Sequence, residues 1–373
     1  AAGRAAEASD LHLQPTGEGL DVRWRIDGVL EHVALLPQRV APNVVARLKV
    51  LADLLTYRTD MPQEGRIRGG EGGVEIRVST LPTLYGEKAV VRLFADRGRF
   101  AGLDSLGFDA SLLAALRRLL AETSGAILVT GPAGSGKTTT LYACLHEIAA
   151  RSGGGRSLAS LEDPIEVAAP GVAQSQVNPA VGFDLAAGLR FLLRQDPEVI
   201  MVGEIRDAAT AEVAFQASLT GHLVLSTFHA GGAAAAISRL SDMGIAPYLL
   251  RSGILAIVSQ RLVRKLCRCA QPAATPEAHL GLPVERAWLP VGCPDCRGSG
   301  YQGRVVLAEI LLAEASELGR AILSRSDKAQ LEQLAIQAGM VPLAKRACEA
   351  VAAGITSPAE VRRVLGFGDL SEE

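Results

Sequence analysis

A chain of 373 residues is longer than one hydrophobic core usually fills, so two or three domains are expected. Hydrophobic residues make up 48% and aromatics only 4%, a balance that excludes a wholly disordered chain and suits Ala, Leu, Val and Ile cores behind helices and parallel strands. Lysine and arginine number 38 against 40 acids, so the net charge of -2 leaves no basic field to hold a phosphate backbone, and no nucleic-acid partner is expected.

The chain opens Ala1-Ala-Gly-Arg4 without an initiator Met or a signal-peptide pattern, and is expected to be a stretch of a longer protein. Residues 1–100 read as a small α+β domain. Asp21–Asp27 and Val74–Thr80 alternate in period two, as half-buried strands do, and Val45–Leu54 is helical between them. The polar, glycine-bearing stretch Arg97–Ser105 is a connector, after which helical periodicity resumes at Ala110–Leu120. Over 105–265, short β-rich runs at Ala126–Thr130, Ser157–Leu161, Val199–Val202 and His222–Ser226 alternate with helical segments, which predicts a parallel sheet covered by helices. A cysteine-bearing loop follows over 266–303. A helical C-terminal region is expected over 304–373, its Ala- and Leu-rich helices running from Glu317 to Leu365. The longest apolar run, Tyr248–Val258, is broken by Arg251 and too short to span a bilayer, so the chain is expected to meet a membrane only through partners.

Strand Ala126–Thr130 leads directly into Gly131-Pro132-Ala133-Gly134-Ser135-Gly136-Lys137-Thr138-Thr139, and a helical pattern follows. This is the strand–loop–helix context of a P-loop. The glycines let backbone N–H groups turn inward around a β-phosphate, Lys137 adds charge at the β- and γ-phosphates of ATP, and the Thr138 hydroxyl is placed to ligate Mg²⁺. A P-loop does not separate an ATPase from a small-molecule kinase. The second acidic site does: Glu198–Glu204 reads as a buried strand ending in a carboxylate, where these folds activate the attacking water, so Glu204 is the expected general base. Its plainer alternative is a helix cap. Glu162-Asp-Pro-Ile-Glu166 follows another strand, and Glu162 is a candidate to reach Mg²⁺ or a water, against the alternative of a turn started by Asp163-Pro164. His222 and His229 flank Leu223–Thr227, so one of them is a candidate to sense the γ-phosphate, with a core histidine satisfied by backbone as the alternative for each. Cys267-x-Cys269 and Cys293-Pro-Asp-Cys296 supply four thiols for a closed, structural zinc site, or else four reduced cysteines near a surface turn. Cys144 and Cys348 lie in helical patterns and read as small core residues.

These blocks in this order resemble the type II secretion and type IV pilus assembly ATPases from about Ala8 to Leu365. Leu161–Glu166 resembles the family's aspartate box, Gly203–Asp207 its Walker B end, Thr220–His229 its histidine box, and Gly303-Arg304 through Glu309 its post-zinc segment. Ala8–Pro15, Val22–Gly28 and Arg77–Pro82 are similar to the domain that precedes the motor. The chain departs from the family at Ala230-Gly231-Gly232, where Thr-Asn is usual after the histidine. The resemblance implies a RecA-like α/β fold, a hexameric ring, and bound ATP, Mg²⁺ and Zn²⁺. It also implies that Arg77, Arg92, Arg190 and Arg194 approach phosphates or neighbouring subunits; read without it, Arg77 and Arg92 equally suit a solvated sheet face. It further implies work at the cytoplasmic face of the inner membrane, with platform and linker proteins as partners. The stretch Gln260–Lys265 leans toward the secretion branch, with a pilus extension motor as the nearest alternative and a nucleic-acid translocase or a non-hydrolysing scaffold as more distant ones.

Overall fold

The computed structural model describes residues 2–67, 76–93, 102–314 and 316–367. The chain forms two compact units, Ala1–Arg99 and Phe100–Glu373. Val74 and Glu75 of the expected strand, and 97–101 of the expected connector, lie outside the described residues.

The first unit runs α1 (Ala2–Ala5), β1 (Asp10–Pro15), β2 (Gly19–Ile26), β3 (Val29–Pro37), α2 (Ala41–Leu51), β4 (Gln63–Ile67), β5 (Ile76–Thr83) and β6 (Gly86–Leu93). Its strands form one antiparallel sheet in the order β3-β2-β1-β6-β5-β4. Leu13, Leu20, Val45 and Ala89 pack between sheet and α2. Period two exposed only β2 and β5 in the sequence, because β3 and β4 lie at the sheet edges with both faces partly wet.

The second unit runs α3 (Ala110–Leu119), β7 (Gly125–Thr130), α4 (Lys137–Ser152), β8 (Leu158–Glu162), β9 (Val172–Gln176), α5 (Leu185–Leu192), β10 (Val199–Ile205), α6 (Ala208–Leu219) and β11 (Leu223–Phe228). It continues with α7 (Ala233–Asp242), α8 (Pro247–Gly253), β12 (Ile254–Leu266), β13 (Gln271–Pro272), β14 (Trp288–Leu289), β15 (Tyr301–Leu312), α9 (Ser316–Leu323), α10 (Lys328–Gln337), α11 (Leu343–Ala352) and α12 (Pro358–Leu365). Seven strands lie in the order β15-β12-β7-β11-β10-β8-β9, all parallel except β15. β7 and β11 are buried along their whole length, as strands covered on both faces must be. The RecA-like α/β fold is therefore present, and its sheet reaches further than the sequence suggested. Residues 304–312, expected within a helical region, form most of β15, and part of the apolar run Tyr248–Val258 opens β12.

Parallel strands carry their C-terminal ends to one edge, and the register fixes what collects there. Thr130 pairs with Phe228 and with Ser259, Ile205 pairs with Phe228, and Val202 pairs with Leu161. The segments leaving β7, β8, β10, β11 and β12 thus share one crevice, the place where open α/β sheets bind ligands.

Candidate active site

The loop between β7 and α4 is built on left-handed glycines: Gly131, Gly134 and Gly136 have φ of 146°, 76° and 88°. Gly131 has a steric reason as well, since a Cβ there would stand 2.5 Å from the Gln260 carbonyl oxygen and 2.6 Å from Ser135 Oγ. The loop is braced from β12, where Gln260 Nε2 donates to the Ser135 carbonyl at 2.7 Å and Gln260 Oε1 accepts from Thr140 Oγ1 at 3.0 Å. Pro132, Ala133 and Gly134 are exposed along the loop, and Thr139 is exposed on the helix behind it.

Two features of this loop fit a bound polyphosphate. Ser135 Oγ is buried with no hydrogen-bond partner among the described residues, and Lys137 Nζ donates only to the carbonyls of Gly131 (2.9 Å) and Pro132 (3.0 Å). Burial pulls the Lys137 ammonium below its ordinary pKa; the Glu204 carboxylate opposes that shift and the Arg261 guanidinium adds to it. An ammonium so placed gains from an anion in the loop. The Thr138 hydroxyl, half-buried in the first turn of α4, makes no hydrogen bond to the described residues, which suits a ligand of Mg²⁺.

Glu204 reaches the same edge because β10 and β11 lose their pairing between Val202 and Ile205. The backbone left behind is satisfied by side chains, with Ser226 Oγ donating to the Val202 carbonyl at 2.9 Å and Thr227 Oγ1 to that of Gly203 at 2.8 Å. Glu204 Oε1 lies 2.9 Å from His229 Nε2, and Oε2 accepts from Arg206 Nε at 2.7 Å. Arg206 extends the chain to Asp163 at 3.3 Å. Asp207, next along, caps α6 by accepting from the Thr210 backbone N–H. The cap alternative thus belongs to Asp207, and the Glu204 carboxylate is close enough to act on the Lys137 ammonium.

His229 and His222 part company. His229 follows β11 at the crevice, whereas the His222 carbonyl accepts from Gly125 at the start of β7 and its Nδ1 donates to the Ala217 carbonyl at 3.0 Å. At strand spacing His222 sits on the order of 20 Å from the phosphate loop, so the structure does not bring it to the site.

Glu162 ends β8 at the crevice side but is buried, and Tyr142 (2.5 Å), Ser160 (2.7 Å) and Gln174 (3.0 Å) all donate to its carboxylate. It stands braced by the protein and not turned toward a loosely held metal or water, contrary to the sequence reading. Burial, with Glu162 beside it, pushes the Tyr142 hydroxyl up. The nearest outward carboxylate in that box is Asp163, 46% exposed.

The arginines differ in setting. Arg190 on α5 and Arg194 just after it are exposed and ion-pair with nothing among the described residues; Arg194 rests against Phe191. In the first unit, Arg77 and Arg92 are cross-strand partners, and Arg92 is opposite Asp10, to which its Nε donates at 3.0 Å. Arg25 and Arg66 occupy the flanking positions of the same row, Arg25 opposite Asp10 and Arg66 opposite Arg77. Sequence reasoning missed Arg25, Arg66, Arg206, Gln260 and Arg261. Arg206 was legible, two residues after Glu204 within the same quoted block; the others became neighbours only through strand pairing.

The four cysteines lie between β12 and β15. Their sulfurs are all within 4.8 Å of one another, and three pairs stand 3.8, 3.9 and 3.7 Å apart. A tetrahedron with Zn–S bonds of about 2.3 Å requires S···S of about 3.8 Å, so this donor set fits zinc. Burial alone would raise the Cys296 thiol, but backbone N–H donors from Cys293 and Gly300 hold its pKa below the ordinary thiol value. Cys144 is wholly buried and Cys348 half-buried, apart from this cluster.

The profile of the family described as Type II/IV secretion system protein matches residues 4–363. Type II secretion system ATPase E of Vibrio cholerae serotype O1 is 43% identical over 366 residues, covering 96% of this chain and 72% of its own. Type IV pilus assembly ATPase TfpB of Acinetobacter baylyi is 40% identical over 373 residues, covering 96% of this chain and 63% of its own. Among solved structures, the ATPase DotB of Legionella pneumophila shares the fold with a TM-score of 0.66 at 22% identity, over 97% of this chain and 93% of that one.

Proposed function

Because the chain belongs to the type II/IV secretion system protein family and is an ATP-hydrolysing enzyme, we propose that it is the motor of a type II secretion machine, coupling hydrolysis to pseudopilus assembly and protein export. The observation that carries the chemistry is the convergence of Lys137, Glu204 and His229 on one sheet edge. Lys137 leaves its two carbonyls for the β- and γ-phosphates of ATP, and the Ser135 and Thr138 hydroxyls face the same ligand. Mg²⁺ held through Thr138 would offset phosphate charge. Glu204 accepts the proton of the attacking water once one of its contacts, to His229 or Arg206, opens to admit that water. Glu162 acts from behind, keeping the aspartate box in place through its three donors.

The ring is of six copies, with Arg190 and Arg194 free to meet phosphate or a neighbouring copy, and Arg77 and Arg92 adding guanidinium charge to turnover. Zinc on the four cysteines is structural. Among the described residues no helix is long and apolar enough to cross a membrane, so work at the cytoplasmic face of the inner membrane would run through platform and linker proteins. Identity to a pilus assembly ATPase supports pilus extension as the second reading, and restoring export or piliation to the corresponding deletion strains separates the two. For the site itself, Lys137→Ala should lose ATP binding, while Glu204→Gln should bind ATP and turn it over at least about a hundredfold more slowly. Near-normal turnover by Glu204→Gln would remove Glu204 as the base.

A further inference from the structure

Helix α7 begins directly after the segment that carries His229, and α11 begins the C-terminal helical pair. Neither has a cap of its own: the residue before α7 is Gly232, the residue before α11 is Pro342, and no side chain at either position bonds the helix. Each ten-residue helix therefore presents orphan N–H groups and the positive end of its dipole. One carboxylate answers both. Glu309 of β15, buried to 6% exposure, accepts from the Ala233 N–H through Oε1 at 2.9 Å and from the Leu343 N–H through Oε2 at 3.0 Å.

We infer that Glu309 is a positioning residue for hydrolysis, fastening the His229 segment to the C-terminal helices through this double cap. The inference rests on the reading of Glu204 and His229 as the hydrolytic pair. Glu309 pairs with Ser259, which pairs with Thr130, so the three lie in one row across β15, β12 and β7, ending at the residue before the phosphate loop. Thr130 Oγ1 donates to the Ala230 carbonyl at 3.3 Å, Arg261 to that of Gly231 at 2.6 Å, and Arg239 to that of His229. Those contacts all grip carbonyls, whereas among the described residues only Glu309 grips an N–H at the end of the segment. Ala230, Gly231 and Gly232 bring no polar side chain to fix it, and two glycines leave its backbone loose. Burial raises the Glu309 carboxyl above its ordinary pKa, and the two helix N–H groups and the Arg261 guanidinium oppose that shift.

The test is steady-state ATP turnover of the full chain with a double-mutant cycle on Glu309→Ala and His229→Ala. Glu309→Ala should lower kcat about tenfold with KM within about twofold, and should change kcat less than about twofold when His229 is already Ala. Gly232→Ser, whose extended backbone admits any residue and whose hydroxyl can cap α7, should recover part of the loss in Glu309→Ala. Should Glu309→Ala not fold, Glu309→Gln, which keeps one acceptor, carries the same cycle with the same expected coupling. Equal losses of kcat in both backgrounds, or KM rising in step with the fall in kcat, would overturn the inference alone. Normal kcat in His229→Ala would overturn it together with the hydrolytic reading beneath it.

Discussion

Lys137 and Glu204 show how far a single side chain is defined by its company. The ammonium is buried against two carbonyls and feels the opposing charge of Glu204, a setting that a phosphate would complete. The two histidines make the converse case. Identical in type and flanking one strand, they lie at opposite ends of β11, and of the two only His229 touches Glu204, the proposed base. We expect His229→Ala to lower kcat by at least about tenfold and His222→Ala to leave kcat within about twofold, both measured at saturating ATP. A fall in His222→Ala as deep as in His229→Ala would contradict this placement.

At the scale of elements, the cysteine cluster governs a strand pair. Leu266 ends β12 and Tyr301 begins β15, and the two strands pair from Ala256 opposite Leu312 to Leu266 opposite Tyr301. The excursion 267–300 leaves and rejoins the sheet at that junction, tied there by the Cys267 N–H to the Gly300 carbonyl and by the four sulfurs, while its Leu282 and Ala287 pack against α11 and α12. Metal closing the excursion would spare the junction its loop entropy and hold β15, hence Glu309, in register. Purified chain should carry about one zinc, and chelation or Cys296→Ser should lower Tm by roughly 5 °C or more. Metal-free protein with unchanged Tm after chelator would rule the structural zinc out.

At the scale of the whole molecule, the proposal is a ring. Exposed Arg190 and Arg194 are guanidinium groups without an ion-pair partner among the described residues, which a lone chain has little reason to keep beside a nucleotide domain. Turnover per chain should therefore rise with protein concentration in step with a light-scattering mass approaching six chains, and Arg190→Ala should lower the plateau. A monomer at tens of micromolar with constant specific activity would sink the ring.

The sequence by itself determined the phosphate loop, because that site is one contiguous run of backbone whose glycines and lysine carry their geometry with them. It determined the parallel-sheet domain for the same local reason, since buried strands read as apolar runs, and it brought out the four cysteines by spacing. Tertiary structure alone decided the rest. Which histidine meets Glu204, why Glu162 is braced and hidden, how β15 joins the sheet, and why one carboxylate caps two helices all follow from strand register, which joins residues tens to hundreds of positions apart. Register is set by the packing of the whole sheet, and no short window of sequence contains it.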